Sequence, residues 1–418
     1  MNKKIFFRLD WLSILLYLLL VSFGLVNIYS SGFSNTTIVF WDPNYLVGKQ
    51  FWIFIACLII LPFVLAIKSN FFEHLTYIFY GVSIISLLGL FIFGQTVSGA
   101  TSWYSLGGFS LQPSEFAKIS TAMVVALNLS SFQNDLKKNT HLLKIILLVT
   151  LPMLLIILQP DAGSALVFMG IFFVLIREGL NLKFLFLAMG SLLIFLLTLL
   201  FSPLNLSLVM GFIFLILYNL IKRRYPKTKK SPFISTLMIG IVLSYSVSFI
   251  FNTIFEQRHR DRFNIILGLE TDSRGIGYNI NQSKIAIGSG GFSGKGFLNG
   301  SQTKGNFVPE QETDYIFSIV GEEWGFLGSL TLILLFVILI FRIIYKAERH
   351  TSGYARIFSY TFASMLFVHF FVNIGMTLGL VPTVGIPLPF ISYGGSNLLA
   401  FSLMLFIYLN FDANRLNH

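Results

Sequence analysis

Charge is what this chain is short of. Only 11% of its 418 residues are Asp, Glu, Lys or Arg, where a soluble domain carries roughly 25%. So few charges cannot cover a water-facing surface, which excludes a soluble enzyme, a disordered tail and a collagen-like fibre. There is one cysteine, Cys57, inside an apolar run. It cannot form an intrachain disulfide, so a disulfide scaffold is excluded too. No G-x-x-x-x-G-K-[ST] signature, internal repeat or low-complexity tract is found, which leaves a nucleotide P-loop without support. What is abundant is apolar: 55% of the residues, in long continuous runs. Continuous runs indicate a helical polytopic membrane protein rather than a barrel, whose strands alternate over short segments.

Runs of spanning length, or nearly so, lie at 11–31, 50–67, 74–94, 115–132, 143–159, 163–179, 183–201, 206–222, 233–251, 315–343, 354–378 and 392–410. The expectation is an all-α bundle of about twelve spans, with residues 1–418 forming one transmembrane domain. The first run follows Lys3, Lys4 and Arg8. It is too long for a signal-peptide core and reads as a retained span. Pro160, Asp161 and Ala162 predict a tight turn, and Ser202 to Asn205 predict a second break.

The net charge of +11 matters less than where the charges fall. With the N-terminus inside, inner loops and ends collect most lysines and arginines, including Lys222, Arg223, Arg224, Lys227, Lys229 and Lys230. Short outer loops hold only Lys49, and Lys118 sits inside a span. Seven more basic residues fall in the long segment 252–313, and long loops are largely exempt from the bias. Both termini and the basic loop 222–232 are therefore expected in the cytoplasm, and 252–313 outside. That segment balances its seven bases with six acids, so it is no cationic patch and no nucleic acid partner is expected.

Ionisable residues within spans face a bundle interior or a wet cavity. Glu115, Lys118, Asp161, Asp314, Glu322 and Glu323 are the cases here. Glu115 and Lys118 are three apart on one helix and can meet, as a structural ion pair or as part of a cavity wall. Trp103 follows a polar loop; position favours an interfacial aromatic belt, and a stacking platform for a sugar ring is the alternative. In 277–291, residues Asn279 to Gly288 predict a short helix carrying Gln282 and Lys284, ended by glycines. A glycine-rich stretch beside lysines can hold phosphate through backbone N–H groups, or it is a plain surface loop. Asp314 stands where polar chain enters an apolar helix. It is a first-turn acid favoured by the helix dipole, or a carboxylate able to act as general base.

Taken together, six segments resemble the shape, elongation, division and sporulation (SEDS) family. They are GGFSLQPSEFAK (107–118), QPDAGSA (159–165), QSKIAIGSGG (282–291), PEQETDYIF (309–317), GEEWGF (321–326) and PLPFISYGGS (387–396). The likeness runs in order from about residue 11 to 411. It implies a peptidoglycan glycosyltransferase that polymerises lipid II at the outer face of the bacterial cytoplasmic membrane, with a class B penicillin-binding protein as transpeptidase partner. The family's essential acid falls on Asp314. Its functional Trp falls on Trp103, its Glu–Lys pair on Glu115 and Lys118, and its Gln-Pro-Asp motif on Gln159 and Asp161. Lys284 and Arg262 are further candidates for the pyrophosphate, and a divalent cation, magnesium or manganese, is left open as cofactor. The chain departs from the family in having about twelve spans where ten are usual, and in Glu312 where the family often has His. A lipid II flippase and a division-type member of the same family are the alternatives. In the first, Glu322, Glu323 and Asp161 would be coupling groups.

Overall fold

The computed structural model describes residues 8–33, 39–97, 99–107, 109–131, 138–225, 230–255, 257–269 and 275–415. Lys3, Lys4, Lys137, Lys227 and Lys229 of the inner-loop set, and Glu256, Glu270, Asp272 and Arg274 of the long outer segment, lie outside the described residues. Contacts divide the chain into two compact units, Met1–Gly179 with Tyr278–His418, and Leu180–Gly277.

The larger unit contains α1 (Trp11–Gly32), α2 (Leu46–Ala66), α3 (Thr76–Phe93), strands β1 (Gln95–Val97), β2 (Ala100–Leu106) and β3 (Phe109–Leu111), then α4 (Pro113–Ser130), α5 (Asn139–Ile157) and α6 (Ala162–Arg177). The smaller unit is built of α7 (Lys183–Leu200), α8 (Pro203–Arg224), α9 (Ser231–Phe249) and α10 (Gln257–Ile266). The chain then returns through α11 (Ile276–Ser289) to α12 (Ile316–Ala347), α13 (Gly353–Thr377) and α14 (Gly395–Asn414). Long helices follow from the apolar runs, because a backbone in lipid must satisfy its own polar groups.

Each of the twelve expected segments is helical. Among the described residues, ten helices are long and apolar enough to cross a membrane by length and composition. The two segments outside that set are α4, which carries Glu115 and Lys118, and the shorter α6. The turn at 160–162 is where it was expected: α5 ends at Ile157, and Asp161 caps α6 by accepting from the Ser164 N–H at 3.0 Å. The break near 202 is a helix start, with Ser202 accepting from the Asn205 N–H at 3.3 Å and Pro203 in the first turn.

One expectation needs correction. The fold is not purely α: β1, β2 and β3 form an antiparallel sheet in that order. Tyr104 pairs with Leu111 and Ser105 with Ser110, while Gln95 pairs with Trp103. The β-branched and aromatic residues Thr96, Thr101, Trp103 and Tyr104 suit strands. Glycines at positive φ, Gly99 at 83° and Gly107 at 56°, mark the turns between them. Within 252–313 the expected helix is present as α11, together with α10 and a short turn of helix at Ser301–Lys304. Helix α11 is longer than expected, keeping Gly288 inside and stopping before Gly290.

Helix α12 is broken at Gly325, which has φ 62° and ψ −155°. The glycine-rich chain after α11 fills the break. The Phe326 N–H donates to the Gly291 carbonyl at 2.9 Å, and the Leu327 N–H to Phe292 at 3.2 Å. A glycine is needed at 325 both for the positive φ and for this close approach.

In the smaller unit α9 packs against α7 and α8. The Thr198 hydroxyl donates to Ser244 at 3.0 Å, and Phe195 meets Phe263 edge-on at 5.4 Å.

Candidate active site

The segment joining α13 to α14, residues 379–394, contains the PLPFISYG stretch. It is irregular chain, so its backbone groups need partners supplied from outside. They come from side chains of neighbouring spans. Gln50 of α2 donates to the Ser392 carbonyl and accepts from the Gly394 N–H, both at 3.2 Å. Ser392 folds back to accept from the Leu388 N–H at 2.8 Å and donates to the Thr313 carbonyl at 2.5 Å. The Tyr393 N–H donates to the Glu312 carbonyl at 2.8 Å.

These bonds pin the 310–314 strand of chain against the segment, and Asp314 lies on it. Asp314 is half-buried, immediately before α12. Asn373 of α13, fully buried, donates from one amide nitrogen to two carbonyls, Asp314 at 2.9 Å and Ile386 at 2.7 Å. Gly385, at φ 70°, sits beneath the Asp314 carboxylate: a Cβ there would lie 3.3 Å from Oδ2. The carboxylate is thus held against a bare backbone position. Six residues earlier Gly379, also at φ 70°, lies under the Lys284 side chain, which is otherwise exposed. Helix α11 is fixed there by Ser283, whose hydroxyl donates to the Thr377 carbonyl at 2.9 Å.

Glu115 and Lys118 do pair, at 2.7 Å, and each side chain is only 1% exposed. The ammonium also meets His369 Nε2 at 3.0 Å, and His369 Nδ1 meets the Pro387 carbonyl at 3.0 Å. A carbonyl can only accept, so Nδ1 carries the proton and Nε2 accepts from the ammonium, which is the neutral ring. Asn397 of α14 donates to the other Glu115 oxygen at 3.1 Å. The pair therefore ties α4 to α13, α14 and the 379–394 segment.

Asp161 accepts from Gln112 at 2.9 Å as well as capping α6. Gln159 is buried; its side-chain amide donates to the Leu87 carbonyl at 2.8 Å, and its own carbonyl accepts from the Thr101 N–H at 3.1 Å. Both fasten the β-ribbon and α6 to the bundle. Gly163, next to this cap, lies against the Val384 carbonyl with no space for a Cβ. Trp103 is half-buried on β2. Its neighbour Tyr104 reaches α3, donating to the Ser86 carbonyl at 2.7 Å. Of the expected site residues, seven lie in the larger unit, and six of them sit on or next to elements that brace 379–394 directly. Arg262 belongs to α10 of the smaller unit.

The sequence reading missed His369, Asn373 and Asn397. They were visible as polar residues inside apolar helices, with His369 and Asn373 four apart on one face of α13. In the other direction, Glu322 and Glu323 are accounted for structurally. Glu322 accepts from Lys295 at 2.7 Å, the Gln302 N–H at 2.9 Å, and the Thr303 N–H and hydroxyl at 2.8 Å each. Glu323 accepts from Ser30. Glu322 staples the glycine-rich chain to α12, with Lys295 committed to that staple, and Glu323 ties α12 to α1.

Comparison with known proteins completes the picture. The chain is 33% identical over 440 residues to the peptidoglycan glycosyltransferase RodA of Treponema pallidum, covering 97% of this chain and 98% of that protein. It is 33% identical over 364 residues to MrdB of Escherichia coli K12, a peptidoglycan glycosyltransferase, covering 86% and 83%. Among solved structures, a chain from a peptidoglycan synthase complex coordinating polymerization and crosslinking superposes with a TM-score of 0.72 at 24% identity, covering 98% and 99% of the two chains. RodA of Thermus thermophilus gives 0.62 at 23%, covering 97% of each; these two likenesses concern the fold. A family model described as cell cycle protein, for FtsW, RodA and SpoVE, matches residues 10–216 and 228–417, and on that match and those relatives the chain belongs to this family.

Proposed function

We propose that this chain is a peptidoglycan glycosyltransferase of the elongation type, polymerising lipid II at the outer face of the bacterial cytoplasmic membrane. The observation that carries the reading is Asp314, a half-buried residue whose backbone carbonyl is held by Asn373 and whose carboxylate lies over Gly385. The 33% identity to RodA and MrdB over most of the chain supports the activity and the elongation role.

In the reaction, the 4-hydroxyl of an acceptor sugar attacks the anomeric carbon of a donor. The bond from that carbon to the pyrophosphate oxygen breaks, and polyprenyl diphosphate leaves with the electron pair. Asp314 takes the hydroxyl proton as general base. A single displacement inverts the anomeric centre, as in inverting glycosidases, where a base activates the attacking group opposite the leaving group. Pyrophosphate is a good leaving group, so no general acid is required. Lys284, exposed beside Gly379, is the cation for the leaving phosphates. Arg262 is the second candidate. Trp103 offers a ring face to a sugar at the mouth. Glu115 and Lys118, closed off by their own partners, act on substrate by holding the 379–394 segment in place; Gln159 and Asp161 do the same for the β-ribbon. Among the described residues no three His, Cys, Asp or Glu side chains are grouped to hold a metal ion.

The lysine and arginine pattern puts both termini and 222–232 in the cytoplasm and 252–313 outside, with α4 and α6 completing twelve crossings. A class B penicillin-binding protein supplies the cross-linking partner, in keeping with the synthase complex that this fold matches. Two experiments test the reading. Purified protein should convert lipid II to glycan polymer in detergent, where transport cannot be scored; no polymer, with or without the partner, sinks it. In a Cys57→Ala background, Lys304→Cys should label from outside intact cells and Lys230→Cys should not; the reverse pattern overturns the sidedness.

A further inference from the structure

The turn between α8 and α9 concentrates positive charge. Six of the nine residues from Lys222 to Lys230 are Lys or Arg, and from Gly179 to Phe255 the sequence contains no Asp or Glu. Four of the six lie within the described residues. Lys222, Arg223 and Arg224 form the last turn of α8, and Lys230 stands directly before α9. All four are exposed. The two helices meet just behind them, where Tyr218 of α8 packs edge-on against Phe233 of α9 at 5.5 Å. Lys222 lies over the Tyr218 ring at 5.7 Å, and Tyr225, next after Arg224, is 60% exposed.

Two ordinary causes account for part of this and not the rest. The inside bias explains Lys and Arg in such a turn, but acids contribute little to that bias, so it does not explain why they are missing. The helix dipole welcomes cations at the end of α8 and disfavours one at the start of α9, where Lys230 is. Nor are the charges used within the protein. In the larger unit Arg177, Arg342, Lys346, Arg356 and Arg415 each pair with an acid. Among the described residues, Lys222, Arg223, Arg224 and Lys230 pair with none. Successive helical residues point in directions about 100° apart, so Lys222, Arg223 and Arg224 fan out around the end of α8. A fan of this kind fits an extended anionic surface rather than one acidic side chain. Its place selects the surface. Helices α8 and α9 are apolar, of spanning length, and bury only 6% and 11% of their most apolar stretches. Lipid therefore surrounds them, and the bases stand where the acyl region gives way to headgroups.

We propose that the basic turn of α8 and α9 binds the phosphate headgroups of anionic phospholipid and so fixes the smaller unit at the membrane surface. Juxtamembrane clusters of Lys and Arg are drawn to anionic lipid in this way. The test does not require polymer formation, so it stands apart from the glycosyltransferase reading.

The full chain in neutral detergent is mixed with equal amounts of phosphatidylglycerol and phosphatidylcholine carrying the same acyl chains. It is separated from free lipid by gel filtration, and the retained lipid is counted by mass spectrometry. At about 0.1 M salt, wild-type protein should retain about ten times more phosphatidylglycerol, the worth of one or two well-placed bases. The preference should shrink at about 1 M, where charge is screened beyond about 3 Å. Lys222→Gln/Arg223→Gln/Arg224→Gln/Lys230→Gln should abolish it, while Lys138→Gln/Lys144→Gln, at two exposed bases by the start of α5, should keep it. Because the four bases also orient the helix pair, a second variant retains them. Asn219→Glu/Ser231→Glu sets acids at exposed positions beside the bases and must lower the preference as well. Equal retention of the two lipids by wild-type protein overturns the proposal and gives the turn to an acidic polypeptide instead. A preference that survives Asn219→Glu/Ser231→Glu, or is lost equally in the α5 control, also overturns it. Inorganic phosphate at matched ionic strength should displace no more lipid than sodium chloride does; specific displacement would replace the lipid with a free anion.

Discussion

Helices α13 and α14 differ from α7 and α8 in a way that inverts the logic of soluble proteins. Within the most apolar stretch of α14, 89% of residues are buried, and 78% in α13; in α7 and α8 the share is 6%. Yet α13 and α14 are the less apolar pair. Lipid is as apolar as leucine, so an apolar residue gains nothing by turning inward, and packing with polar bonding decides what goes inside. His369, Asn373, Asn397 and Asn410 are all buried, and each bonds across to another element. Helices α7 and α8, by contrast, present Phe186, Leu208 and Phe212 at over 60% exposure. Hydropathy therefore finds the lipid-facing helices most readily and is weakest where the chemistry is. Helix α4, which carries Glu115 and Lys118, falls outside the ten apolar spans altogether.

The comparison makes the polar interior responsible for function, and the sharpest way to break it is at Asp314. Asp314→Asn keeps the shape and cannot take a proton. Loss of a general base costs about 10²–10⁴-fold, so polymer formation should nearly vanish while the protein still inserts and folds. Asp314→Glu should recover little, since a shift of roughly 1 Å costs about a hundredfold where positioning matters. Glu312→Gln is the control, with kcat retained. A dipole-favoured helix-start acid is worth only about 0.3–1 kcal/mol. If that were all Asp314 did, Asn would serve and activity would persist. Normal polymerisation by Asp314→Asn alongside loss in Glu312→Gln would make Glu312 the base and Asp314 the wrong acid.

Next in size is the buried pair. Lys118→Met leaves Glu115 charged and enclosed, which costs about 3–5 kcal/mol for a broken buried pair. Glu115→Ala should impair function likewise by freeing Lys118. The double substitution Glu115→Leu/Lys118→Met removes both charges and should recover much of the thermal midpoint in detergent without recovering the polymerisation rate. Single variants that melt and polymerise like wild type would reduce the pair to an incidental contact.

How far the sequence led can be judged residue by residue. The helices, the Asp161 turn and the Ser202 break were legible, because apolar run length and capping residues are local signals. Asp314 was legible as a polar-to-apolar junction. Trp103 was placed by sequence position, but the strand it sits on was not, because three short strands leave little periodicity. Lys118 and His369 are 251 positions apart, and no local pattern joins them. The rule that an intramembrane acid marks function singled out Glu322 and Glu323, but Glu322 is met by backbone and side-chain donors of a glycine-rich loop and Glu323 by Ser30 of α1.

A matched pair of milder substitutions sharpens the contrast between the two regions. Asn373→Ala removes the donor shared by the Asp314 and Ile386 carbonyls. Leaving buried acceptors unmet costs about 1–3 kcal/mol, and the rate should fall with KM nearly constant, because the base loses its brace while the substrate contacts remain. The smallest effect belongs to Thr198→Val on α7. Thr198 is itself buried, at 6% exposure, and its hydroxyl bonds Ser244 at 3.0 Å and the Ile194 carbonyl at 2.7 Å. The substitution is close in shape, and interhelical hydrogen bonds within membranes average only about 0.6 kcal/mol. The Ile194 carbonyl keeps its place in the helix, so only Ser244 loses a partner. The thermal midpoint should move slightly and the polymerisation rate not at all. A rate loss in Thr198→Val equal to that of Asn373→Ala would mean that α7 and α8 take part in the reaction, and that buried polarity is not what separates the working region from the rest.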